Sequence, residues 1–149
     1  MAAQLFQWGG TIALLGWVAL LISLFLKPIR TWTWRVTGIL IPCVLAVAYI
    51  YLLYANNPGH PDGGFGSLEA VRALFSDDPA LAAGWIHYLA FDLFVGTWIV
   101  RAGLSSGVHP LLLVPALPLT LYLGPAGLLL GVIILLIFGD RSWMPRAAD

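Results

Sequence analysis

The chain has 149 residues, 60% of them hydrophobic and 9% charged, with a mean hydropathy of +0.92. Soluble domains carry about 25% charged residues, so this composition excludes an ordinary soluble domain and indicates a single integral membrane domain. Seven basic and seven acidic residues leave no net charge to recruit nucleic acid, and a lone cysteine, Cys43, rules out an internal disulfide or a multi-cysteine metal site.

Residues 4–26 form the first apolar span, long enough at ~1.5 Å per residue to cross a ~30 Å hydrocarbon core. No Lys or Arg precedes it, so it reads as a retained helix rather than a secretory signal. Pro28 stops it. Lys27, Arg30 and Arg35 with Trp32 and Trp34 form the cation-and-tryptophan pattern of the headgroup level, an anchor rather than a ligand site. The second span covers residues 36–54 and contains Pro42, which predicts a kink. Cys43 beside it reads as an inert, packed thiol. Tyr49, Tyr51 and Tyr54 close this span and read as interfacial belt, with Tyr49, the deepest, lining the interior as the alternative.

Residues 55–80 are the one sizeable polar connection. Asn56 to Gly64 is turn-forming, and no Gly-Lys-Ser/Thr follows its glycines, so it is no phosphate loop. Ser67 caps a short segment with Leu68, Val71, Leu74 and Phe75 on one face, which predicts an interfacial helix. Asp78 as cap and Pro79 as first helical residue open the third span, about residues 80–101. The last apolar region, about 109–138, is too long for one simple crossing and holds Pro110, Pro115, Pro118 and Pro125. It predicts a bent helix whose first part lies shallow or re-enters. Gly127 and Gly131 permit close helix contact. Arg141, Trp143 and Arg146 anchor the C-terminus. The expected fold is an all-α integral membrane bundle of four transmembrane helices, with a short interfacial helix and a proline-broken last helix.

The third span carries the chemistry. His87 and Asp92 are ionisable groups in an apolar helix; such groups cost roughly 2.5–3.5 kcal/mol to insert and face a bundle interior or a cavity. At 100° per residue, His87 shares a stripe with Phe91, Phe94, Trp98 and loosely Arg101, and Asp92 shares another with Trp85, Tyr88, Gly96 and Ile99. The stripes lie about 140° apart, so the two groups need separate partners or must flank one wide cavity. Both are expected to face inward, Asp92 through the gap left by Gly96, with Tyr49, Thr120 or Tyr122 as partners. Each has two readings, a structural hydrogen-bonding residue or a catalytic one. The single lysine, Lys27, sits at an interface, and His60 and His109 lie outside or at the edge of the spans. That disfavours a retinal Schiff base and a bis-histidine haem. No cofactor and no metal site is expected. An acid/base pair among aromatics suits a long apolar ligand with one polar, reacting end.

Trp85-x-His87-Tyr88-Leu89-Ala90-Phe91-Asp92-Leu93-Phe94-Val95-Gly96 resembles the signature of the abscisic-acid-deficient-four-like family, and residues 118–127, from Pro118 through Gly124-Pro125 to Gly127, resemble its closing motif. Plant members are plastid membrane proteins needed to make the carotenoid neoxanthin from violaxanthin. The positions carried over are Trp85, His87, Asp92, Leu93, Phe94, Gly124 and Pro125. The resemblance implies binding, and acid/base isomerisation, of a carotenoid or related isoprenoid. His87 and Asp92 would be catalytic, and Trp85, Tyr88, Phe91, Phe94, Trp98, Thr120 and Tyr122 would hold the ligand. The alternative is a non-catalytic membrane subunit whose buried polar residues fix helix packing; a proton carrier is a third. The expected partners are the lipid bilayer and that ligand, and the expected location is a bacterial inner membrane, since no plastid transit segment is visible. The basic first loop is expected in the cytoplasm and the N-terminus outside.

Overall fold

The structure, a computed structural model, describes residues 1–55, 59–140 and 143–144. Part of the Asn56–Gly64 turn, and the anchor residues Arg141 and Arg146, lie outside the described residues. Helices and turns make up the fold, with no strand among the described residues. Four helices are long and apolar enough to cross a membrane: Ala2–Ser23, Lys27–Tyr54, Asp78–Ser105 and Pro110–Phe138.

Helix α1, Ala2–Ser23, ends in a 3₁₀ turn at Lys27–Ile29 that takes up Pro28. Arg30 folds back to cap it, donating from Nε to the Ser23 carbonyl at 3.0 Å and from Nη2 to the Leu24 carbonyl at 2.7 Å. One expected headgroup anchor therefore satisfies carbonyls that the end of α1 leaves open. Helix α2, Arg30–Arg35, runs through a π turn at Val36–Leu40 into α3, Ile41–Ala55. Pro42 offers no N–H and crowds the preceding turn. The chain answers with this wide turn directly before the proline.

Helix α4, Leu68–Leu74, is short and capped as expected, Ser67 Oγ accepting from the Ala70 N–H at 3.1 Å. Helix α5, Asp78–Ser105, starts with Asp77 rather than Asp78 as its N-cap and runs about one turn beyond the expected end. It is the central helix. Half of its apolar window is buried, against 22–28% for the other three, because α1, α3 and the last helix all pack on it. Small residues set the distances. Leu93 and Ile41 close on Gly16, and the Trp17 ring lies on Gly96 with no room for a β-carbon.

The last segment comprises α6, Pro110–Leu113, and α7, Ala116–Phe138, and it is not one rod. Leu123 and Gly124 have non-helical backbone. Leu113 packs on Gly103, Tyr88 bonds Leu121, Gly124 meets Asp92, Gly131 meets Ile99, and Gly139 meets Ser106. Both ends of the segment thus lie at the same end of α5. It descends to the level of residues 88–92, turns at Leu123–Gly124, and returns. Gly127 faces Thr120 across the turn so closely that any β-carbon would strike the Thr120 backbone. The bend expected in the last segment is present as a helical hairpin.

Candidate functional site

The His87 and Asp92 stripes separate as the 140° spacing requires, and only one of them faces inward. Asp92 is buried, at 8% exposure, whereas His87 is exposed. The expectation that both face the interior is corrected for His87. The reason lies in the neighbours of α5: α1 and the hairpin cover the Asp92 face, and α3 covers the other only in part.

The gap at Gly96 does not receive Asp92 either, because the Trp17 ring of α1 fills it. Asp92 instead lies against Gly124 at the hairpin turn, where a β-carbon would stand 2.5 Å from Oδ1. Its Oδ2 is buried without a hydrogen-bond partner. Tyr88, one turn earlier, donates from its hydroxyl to the Leu121 carbonyl at 3.0 Å, and the Asp92 carboxyl and the Gly124 N–H face that same hydroxyl. None of the expected Asp92 partners takes part. Tyr49 is on the other side of α5, Thr120 donates to the Ala116 carbonyl at 2.7 Å, and Tyr122 is 75% exposed. Trp85 stacks on Tyr88 with ring centroids 5.4 Å apart and touches Phe6 of α1 at 5.6 Å.

On the opposite face, His87, Phe91 and Phe94 form one wall of an open groove of about 590 Å³ between α5 and α3. The other wall is Gly38, Pro42, Ala46 and Tyr49, with Cys43 beside them. The His87 ring lies 4.5 Å from the Phe91 ring and 5.8 Å from the Tyr49 ring, centroid to centroid. The groove is apolar apart from that imidazole and that phenol. Cys43, expected to be packed, is exposed in it. Behind the wall the Thr97 and Thr37 hydroxyls meet at 2.8 Å, tying α5 to the π turn. Trp98 does not line this groove; its ring meets Trp143 edge-on at 6.1 Å.

The expected site residues therefore fall in two places: His87, Phe91 and Phe94 at the groove, and Tyr88 and Asp92 at the hairpin contact. Reading the sequence missed the α3 wall. Its signal was the run 38, 42, 46, 49, small residues and one tyrosine recurring at helical spacing. Among the described residues no group of three or more His, Cys, Asp or Glu is arranged to hold a metal ion.

The contact of Asp92 with Gly124 joins the two stretches that the sequence singled out, residues 85–96 and 118–127. The model of the ABA DEFICIENT 4-like family matches residues 4–130, and so takes in both. The chain belongs to the ABA DEFICIENT 4-like family. Protein ABA DEFICIENT 4, chloroplastic, from Arabidopsis thaliana is 33% identical over 73 residues, which cover 44% of this chain and 33% of the plant protein. The match thus spans about a third of that relative's length. No solved structure matches the chain. For this member of the ABA DEFICIENT 4-like family, the two motif stretches form one structural unit in which α5 holds the tip of the hairpin.

Proposed function

We propose that this family member is a multi-pass membrane protein that holds a carotenoid or related isoprenoid in the groove between α3 and α5. The observation that carries this reading is the groove itself: about 590 Å³, walled by aromatic and small apolar side chains, with His87 and Tyr49 as its polar groups. Ligand pockets are typically ~300–1,000 Å³ and mostly apolar with a few placed polar groups. The four apolar helices and the family relation support the membrane and the isoprenoid parts. Residues 38–49 of the wall extend ~17 Å at 1.5 Å per residue, enough to cover part of a long polyene with the rest along lipid.

An isomerisation that moves a proton from carbon to oxygen needs an acid and a base within reach of the ligand. In this reading His87 and Tyr49 supply them, since both line the groove. Asp92, on the far face of α5, acts by holding the hairpin. Lys27, Arg30, Arg35 and Arg101 gather at one end of the bundle, while Asp62, Glu69, Arg72, Asp77 and Asp78 belong to the other. In this reading the membrane is a bacterial inner membrane, and the positive-inside rule orients the first end toward the cytoplasm.

The test is retention of a polyene by the purified chain, read as visible absorbance that coelutes on gel filtration. Ala46→Phe fills the groove and is expected to abolish coelution, while His87→Gln is expected to keep it and stop any turnover. Protection of Cys43 from an apolar maleimide by the same polyene is the parallel readout. Equal coelution with wild type and Ala46→Phe, or a Cys43 labelled equally with and without polyene, overturns the reading.

A further inference from the structure

Beside Phe94 the groove adjoins a second pocket of about 370 Å³ at the end of α5, which shares Gly38 and Phe94 with it. Its chemistry differs. Arg101 reaches into it with the guanidinium over the Trp34 ring, 5.8 Å from the ring centre. Trp34 and Trp143 also line it, and the Nε1 atom of each is buried without a hydrogen-bond partner. The two hydroxyls present are already committed: Ser105 donates to the Ala102 carbonyl at 3.0 Å, and Thr97 lies 2.8 Å from both the Leu93 carbonyl and the Thr37 hydroxyl. No carboxylate lines the pocket among the described residues.

Arg101 thus brings its guanidinium to a pocket whose described lining holds no carboxylate. A guanidinium matches a phosphate in particular, because its fixed fork meets two oxygens at once. The pocket stands at the cation-rich end of the bundle, where α2 and its tryptophans also lie. In the membrane reading that is headgroup level, and a basic pocket between helices there binds acidic headgroups. The adjoining apolar groove past Phe94 gives such a ligand's chain a path.

We infer that the Arg101–Trp34–Trp143 pocket binds the phosphate of an anionic glycerophospholipid, whose acyl chain lies toward Phe94. This site goes beyond the polyene groove and does not depend on it: Ala46→Phe leaves Arg101 and Trp34 in place. The experiment uses the full chain in neutral detergent. It titrates phosphatidylglycerol, phosphatidylcholine and inorganic phosphate, reading the rise in melting temperature and the lipid retained in native mass spectrometry. Wild type is expected to bind phosphatidylglycerol about tenfold more tightly than phosphatidylcholine. Arg101→Gln is expected to lose that preference. Trp34→Leu, which removes the ring under the Arg101 guanidinium, is expected to weaken it several-fold. Arg35→Gln, a surface cation stacked on Trp32, serves as the control and is expected to leave it unchanged. Equal affinity for the two lipids, or a preference that survives Arg101→Gln, overturns the proposal. Saturation by inorganic phosphate alone overturns the lipid source.

Discussion

Tyr88 supplies to Leu121 the hydrogen bond that Pro125 cannot. In a continuous helix the Leu121 carbonyl would accept from the N–H four residues on. That residue is Pro125, which has none. The Tyr88 hydroxyl fills the position from α5, at 3.0 Å. The break that turns the last segment back is thereby tied to the central helix, one turn from Asp92. The hydroxyl has a single proton, and Leu121 receives it. The Tyr88 oxygen then offers only lone pairs to Asp92, which a protonated carboxyl or a primary amide can use and an ionised carboxylate cannot.

Tyr88→Phe keeps the ring stack on Trp85 and deletes the donor. It is expected to lower stability by about 1 kcal/mol, the net worth of a hydrogen bond to a half-buried carbonyl. Tyr122→Phe removes a hydroxyl from a side chain that is 75% exposed and is expected to change nothing. Thermal unfolding in one detergent compares the two. Equal melting of Tyr88→Phe and wild type means the hairpin does not rest on this bond.

Gly124→Ala places a methyl group against the Asp92 carboxyl. Overpacking of this kind costs about 1–3 kcal/mol. Shortening the partner should return part of the loss, so the double variant Gly124→Ala with Asp92→Ala is expected to be less destabilised than the sum of the singles. A double-mutant cycle measures the difference. Strict additivity would mean that Asp92 and Gly124 do not touch.

Asp92→Asn preserves shape and provides an N–H for the Tyr88 oxygen, so it is expected to melt with wild type. Asp92→Leu leaves the Tyr88 and Gly124 groups without that polar neighbour and is expected to cost about 1–3 kcal/mol. Both should retain a polyene, because the groove lies on the other face of α5. A polyene lost from folded Asp92→Asn would show that Asp92 belongs to the ligand site after all.

The fold was legible where apolar length and helix punctuation decide it: four long apolar helices, the Ser67 cap, and the trouble that four prolines bring to the last segment. The 140° separation of His87 and Asp92 was also plain from helical arithmetic. Which stripe faced inward was not, because periodicity finds faces and does not say which neighbour covers them. Gly96 illustrates this. It marks a close approach in the sequence, but the group that approaches is Trp17, an apolar ring from α1 rather than a polar partner for Asp92. The groove wall on α3 was easy to pass over for a related reason: Gly38, Pro42 and Ala46 recur at helical spacing, but they matter through the volume they leave empty and carry no chemistry of their own.

The hairpin makes the final prediction, about topology. A last segment that crossed straight through would leave Met144 on the opposite side from His109. The fold-back brings Gly139 to Ser106, and Trp143 to the Trp98 ring, so the two ends share a side. Single cysteines at Thr31, His109, Met144 and Gly66, each in a Cys43→Ser background, report this in intact cells with an impermeant maleimide. Thr31, His109 and Met144 are expected to label alike, and Gly66 in the opposite sense. If Met144 labels with Gly66 instead, the last segment crosses the membrane and the turn at Leu123–Gly124 is only a kink.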